Sequence, residues 1–333
     1  MRVWRNSFIL LGAVSLFGLL GGADGGCGVV DSGSALIEGT PGNDGLDGGA
    51  AANGLTWISA TDLSIPLAVG TRASVSFESG SDFLVGYTVA SSVPTVLSVT
   101  DLGNQNLTVQ ALGPGPANIV VSSLDGTWLG EKYLSVAVAA AITFADPSHL
   151  AAGIDGGVNL PPTFDILSSG SNETIQAVIT DDAGQPLASS GLAMGTGTGI
   201  GVSPATVNGA EGFILQPLLA STATFVGSLS GVPSSALTYQ ITLVPASAVA
   251  NTVIESRLDA DGNIYVLAIA QDSYGNEIFG LGTWTFIPTG GATALPLAPA
   301  AAKVVLAEGT TPGSVTVTAT NPSLSLTATA QLP

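Results

Sequence analysis

Few side chains in this 333-residue chain could do chemistry. It has one histidine, His149, one cysteine, Cys27, and 24 carboxylates. A Ser-His-Asp triad would have to use His149. That residue lies in "FADPSHLAAG" and reads as a surface-loop histidine. Carboxylates pair at Asp181-Asp182 and at Asp259 with Asp261. Paired acids could run glycoside hydrolysis or hold calcium, which takes six to eight oxygens. Their setting points elsewhere. In "LDADGNIY" Gly262 falls at loop position 4 rather than 6, and no Glu closes the loop, so this is not an EF-hand. An Asp followed by Gly is turn chemistry: Asp bonds back to the backbone and Gly supplies the positive φ. No G-x-S-x-G, H-E-x-x-H or G-x-x-x-x-G-K-[ST] motif occurs. "GTGTGIG" (195–201) lacks the βαβ setting of a dinucleotide loop. No catalytic residue, metal site or cofactor is expected, and Asp44, Asp181, Asp182, Asp259 and Asp261 are kept only as calcium candidates.

The charge is one-sided. The formal net charge is −18, and past residue 23 the basic side chains are Arg72, Lys132, Arg257 and Lys303. Nucleic-acid binding needs a basic stripe against phosphate, and this chain lacks one. Polybasic attachment to anionic lipid is excluded for the same reason. Hydrophobic residues make up 46% and charged residues 9%, so real cores can form and the chain is not disordered in composition. Carboxylate repulsion keeps such apolar surfaces apart. One cysteine permits no intramolecular disulfide and no Cys₂ metal site.

The N-terminal "MRVWRNSFILLGAVSLFGLLGGA" has a charged start at Arg2 and Arg5, an apolar run from Phe8 to Leu20, then small residues. This is the build of an export signal, expected over 1–26. Two cleavage sites are open. One follows Gly21-Gly22-Ala23. The other precedes Cys27, because "DGGC" resembles a bacterial lipoprotein signal: Gly25 and Gly26 occupy the small positions and Cys27 the lipid-modified one, while Asp24 stands where that family carries Leu. The resemblance implies lipidation at Cys27. Residues 27–54 then read as a flexible acidic Gly-rich tether. Within it "GTPGNDGLDGG", with Gly42, Asn43, Asp44 and Leu46, resembles a single calcium-binding nonapeptide of the RTX type. Such repeats hold calcium between stacked turns, so one copy cannot build the site.

From Asp62 onward short alternating strands are separated by Gly, Pro, Asp and Asn. "LSIPLAV", "ASVSF", "FLVGYTV", "TVLSVT", "LTVQAL", "ANIVVSS" and "EKYLSVAVA" follow one another within 63–139, the spacing of a β-sandwich. An internal repeat supports two more units: "AVITDDAGQPL" (177–187) aligns with "AIAQDSYGNEI" (268–278), with Asp181, Gly184 and Leu187 matching Asp272, Gly275 and Ile278 at an offset of 91. Gly-rich "GTGTGIGV" blurs the strands of the middle unit. Trp284 in "GLGTWTF" is expected in a core, and Asn321-Pro322-Ser323 near the turn of a closing hairpin.

The first of these blocks resembles a bacterial Ig-like (Big) domain in "LAVGTRASVSF", in "YTVASSVPTVLSVTDLGNQNLTVQALGPGPANIVVSS" and in "YLSVAVA". The resemblance implies that Tyr87 takes the core aromatic position of the third strand. The expected fold is all-β: tandem Ig-like β-sandwiches over 55–139, 140–238 and 239–333, the second junction lying near 235–245. The resemblance implies an exported cell-surface protein, lipid-anchored at the outer membrane or else secreted or periplasmic. It would be non-enzymatic, with a structural or adhesive role toward a surface protein or glycan and no nucleic-acid partner. The rival readings are a carbohydrate- or calcium-dependent binding module and an enzyme, the latter only if His149 meets an acid in a pocket.

Overall fold

The computed structural model describes residues 55–332 apart from 60, 80–83, 85, 154–158, 208, 219 and 260. Cys27, Asp44, the export signal and the tether lie outside the described residues. The first eight strands are β1 (Leu55–Ser59), β2 (Leu67–Ala68), β3 (Arg72–Ser79), β4 (Tyr87–Ser91), β5 (Leu97–Gly103), β6 (Asn106–Ala111), β7 (Gly115–Ser123) and β8 (Trp128–Ala137). Then come β9 (Ala141–Ala145), a short helix α1 (Pro147–Ala152), β10 (Thr163–Leu167), β11 (Glu173–Thr180), β12 (Ala193–Thr198), β13 (Ile200–Val207), β14 (Ala210–Pro217), β15 (Thr222–Leu229) and β16 (Val232–Val244). The last are β17 (Asn251–Leu258), β18 (Ile264–Gln271), β19 (Ile278–Phe279), β20 (Thr285–Pro288), β21 (Thr293–Ala298), β22 (Ala301–Val305), β23 (Thr316–Asn321) and β24 (Leu326–Gln331).

These strands form three face-to-face sheet pairs. The first pairs β1-β3-β6-β5 with β2-β8-β7-β4, the second β13-β14-β11-β9 with β12-β15-β16-β10-β19, and the third β17-β18-β22-β21 with β20-β23-β24. The fold is all-β, in tandem sandwiches. All seven sequence-read runs of the first unit contain a strand, because their apolar residues alternate inward. Val75 and Phe77 of β3, Leu107 and Val109 of β6, and Ile119 and Val121 of β7 fill one core. Phe77 is its central aromatic, fully buried. Tyr87 is half-buried beside it, edge-on with ring centroids 5.2 Å apart. Its hydroxyl accepts the Gln105 N–H at 2.8 Å and donates to Asp101. The ring therefore covers the core end while its polar tip stays outside.

The second core clusters Phe144, Phe213, Phe225 and Tyr239 between its sheets. Two glycines make this possible. A Cβ at Gly195 would lie 2.8 Å from the Phe213 ring, and one at Gly227 would overlap Phe144. The Gly-rich stretch thus forms β12 and the turn into β13, with Gly195 making room for the Phe213 ring, while Gly227 does the same for Phe144 on the neighbouring strand β15. Strand β16 crosses position 238 without a break, since Tyr239, Ile241 and Leu243 alternate into this same core. The chain passes to the third sandwich through 245–250.

In the third sandwich β18 reads "IYVLAIAQ", and all but its last residue are buried. Both of its faces are covered, so it shows no alternation. Ile264, Val266, Ala268 and Ala270 face the partner sheet, while Tyr265, Leu267 and Ile269 pack on Ala151 and Ala152 of α1. Trp284 is buried in this sandwich, as expected. Asn321 ends β23 fully buried, its side-chain amide donating to the Leu281 carbonyl at 2.8 Å.

The repeat noticed in the sequence is the connector. After the turn that follows β11, Ala188 forms a parallel bridge to Leu67 of β2 in the preceding sandwich. After the matching turn that follows β18, Ile278 and Phe279 form β19, which runs parallel to β10 in the preceding sandwich. Strand β2 is also parallel to β8, and β10 to β16, so the two joints share one topology.

Candidate functional site

The carboxylate candidates are turn residues. Asp181 accepts N–H bonds from Ala183 and Gln185 at 2.9 and 2.8 Å, with Gly184 at φ 79°. Asp272 does the same for Tyr274 and Asn276 at 2.7 and 2.8 Å, with Gly275 at φ 86°. Asp259 repeats the motif on Asp261 and Asn263 at 3.0 and 2.7 Å, and its second oxygen takes the Asn263 side chain at 2.9 Å. The Asn263 amide holds the Asp259 carboxyl below its ordinary value. Both carboxyl oxygens of Asp259 are thereby occupied within its own loop. Asp182 and Asp261 are exposed on their turns. Among the described residues, no three His, Cys, Asp or Glu side chains are arranged to hold a metal ion.

A different set of acids converges where the second sandwich meets the third. It starts at α1. Asp146 caps the helix, accepting the Ser148 and His149 N–H groups at 2.6 and 3.2 Å, and Pro147 takes the first helical position. Gly153 closes the helix at φ 58°. His149 is only 6% exposed, not a surface-loop residue: α1 is pressed onto β18 and β22, which buries the imidazole. Its Nε2 lies 3.0 Å from Oε1 of Glu277, just before β19. Glu173, the first residue of β11, is 7% exposed and accepts the Gly280 N–H at 2.7 Å. Ser148 Oγ accepts the Ala300 N–H at 3.1 Å. Asp146, His149, Glu173, Glu277 and Trp284 line a cavity of about 660 Å³.

The electrostatics follow from burial and charge excess. For His149, burial works against the charged ring, but the Glu277 hydrogen bond and the charges of Glu277, Asp146 and Glu255 prevail and raise it above 6.5. For Glu277, burial prevails over His149 and raises the carboxyl. Glu173 is raised well above 4.5, first by burial, then by Asp146. The pair is thus unequal: Glu277 helps His149 keep its proton, while His149 does not fully offset the burial of Glu277.

This cluster meets the sequence condition for an enzyme, a histidine and an acid in one pocket, but not the geometry of a nucleophile. His149 Nε2 is on Glu277, and Nδ1 is buried without a partner, so neither ring nitrogen meets a hydroxyl. The arrangement joins side chains of α1 and β11 to the segment around β19 by hydrogen bonds. Sequence reasoning missed Glu173 and Glu277 because their partners lie 107 and 128 residues away. One local signal pointed to α1, Asp before Pro as a helix start, and one to Glu277, which stands where the first copy of the repeat has Pro186.

No protein-family model matches the chain, and no curated protein matches it in sequence. Solved structures similar to it include domains 4–9 of the surface-layer protein SbsC, at 15% identity and TM-score 0.33, over 83% of this chain and 46% of that one. The Escherichia coli adhesin FdeC is similar at 16% identity and TM-score 0.25, over 81% and 94% of the two chains. Yersinia pseudotuberculosis InvD is similar at 17% and 0.25, over 83% and 82%. The chain spans less than half of the SbsC structure.

Proposed function

We propose that this chain is an exported, non-enzymatic cell-surface protein, lipid-anchored through Cys27, whose tandem Ig-like sandwiches form a braced structural or adhesive element. One observation carries the reading: the same parallel-strand joint is built twice, each time placing residues just past a turn onto the preceding sandwich. Modules that only had to bind independently would need no such bracing, since flexible linkers would serve. The apolar run, the small residues before Cys27 and the acidic Gly-rich stretch behind it support export and tethering. The sandwich units span 55–139, 140 to about 245, and the remainder. The partner is a surface protein or glycan reached by the exposed strands.

Intact-mass spectrometry of the native mature protein tests the anchor. The expected product is a diacylated or triacylated chain beginning at Cys27. An unmodified chain beginning at Asp24 removes the lipid from the proposal. Protease treatment of intact cells tests display: a chain protected until the envelope is broken overturns the surface location.

A further inference from the structure

We propose that the joint between the second and third sandwiches is a proton-operated latch, closed while His149 and Glu173, buried beside Asp146 and Glu277, hold their protons and loosened as the medium turns alkaline. The inference rests on the geometry of this joint and stands independently of where the protein is displayed. The cluster ties two bodies together. Asp146 and His149 come from the strand-to-helix passage of the second sandwich, and Glu173 from its strand β11. Glu277 and Gly280 come from the segment that the third sandwich sends back across the joint.

Charge counting gives the direction. Three carboxylates and one imidazole share a space where Glu173 and His149 are more than nine-tenths buried. Two further groups face the cluster or α1. Glu255, on β17, adds a negative charge. The Arg257 guanidinium packs on Gly153, at the far end of α1, and stacks on the Tyr265 ring at 5.1 Å. Fully ionised, the cluster would bury an excess of negative charge in a low dielectric, which is strongly unfavourable. It is relieved by protons retained on folding. Glu173 and Glu277 have folded values above 4.5, and His149 above 6.5. A group whose folded value is raised contributes fully below its unfolded value, and the contribution is lost as pH rises through the folded one. Glu173 and His149 therefore act in the same sense, and Glu277, once ionised, is the charge that holds the proton on His149. The joint is tightest in mild acid and weakens through neutrality and above.

Amide hydrogen exchange of the full mature chain reads this directly. Protection at Ile278, Phe279 and Gly280 is compared with protection at Ala68 and Ala188 of the other joint, from pH 5.5 to 9, after correction for the intrinsic exchange rate. Protection at 278–280 is expected to fall about tenfold or more, while Ala68 and Ala188 stay level. Glu173→Gln, which mimics the protonated acid, is expected to flatten the slope at 278–280. A level wild-type profile, an equal fall at both joints, or an unchanged slope in Glu173→Gln would each overturn the latch. The wild-type series decides the matter even if the variant fails to fold.

Discussion

The two joints of this molecule share a topology and differ in chemistry. At the first, Leu67 and Ala68 are fully buried and Ala188 nearly so. The Ala68 N–H donates to the Ala188 carbonyl at 2.8 Å and the Ala188 N–H to the Pro66 carbonyl at 2.9 Å. Thr71, whose side chain approaches these bonds, is neutral. At the second, strand β19 repeats the parallel pairing, but a carboxyl group, Glu173, takes the backbone N–H of Gly280, and α1 brings a histidine to an acid. A backbone joint can thus be sealed by small apolar residues or by ionisable ones. The first kind is indifferent to pH, and the second inherits the titration of its parts.

Three outcomes would break or sharpen this contrast. The largest effect is expected from Leu67→Ala, which opens a cavity where the first core meets the joint. It should lower stability by about 3 kcal/mol in urea unfolding, equally at pH 6 and pH 9. A strong pH dependence of that loss would mean that the first joint is also electrostatic. Next is Glu277→Gln, which removes the charge that holds the proton on His149. Loss of a charge-assisted bond costs about 1.5 kcal/mol, and here it should be greatest near pH 6. The loss should shrink as pH rises and wild-type His149 itself deprotonates; a constant loss would reduce Glu277 to packing. The smallest concerns the two turns that launch the joints. Millimolar calcium should leave the melting temperature unchanged, because the Asp181 and Asp272 carboxylates already bond their own loop amides. A clear upward shift would restore these turns as cation sites.

Much of the fold was legible because half-buried strands announce themselves by alternation, as in "ASVSF" of β3. Where alternation failed, a physical cause stood behind it. Strand β18 is apolar on both faces because α1 covers one of them. Strand β12 carries glycine where the Phe213 ring and the Ile200 and Val202 side chains lie against its backbone, at Gly195 and Gly197. The end of β16 was hidden because "LTYQITLV" looks as much like the start of a unit as the end of one. The repeat at 177–187 and 268–278 was visible as turns, but its use was not. Whether the residue after a turn returns to its own sandwich or crosses to the previous one depends on contacts more than a hundred residues apart, as between Ile166 and Phe279. The same holds for His149, whose burial is decided by a strand and a loop from the next sandwich.

Strand β19 also orders events in time. Within the second sandwich, β10 lies between β16 and β19, yet β19 is synthesised only after β17 and β18. Until then the outer edge of β10 presents unpaired N–H and C=O groups, the kind of edge that invites pairing with another chain. In the same way β2 awaits Ala188. The first two sandwiches are thus completed by residues that emerge with their successors, and a truncation between β16 and β19 is expected to leave a sticky intermediate rather than a smaller version of the protein.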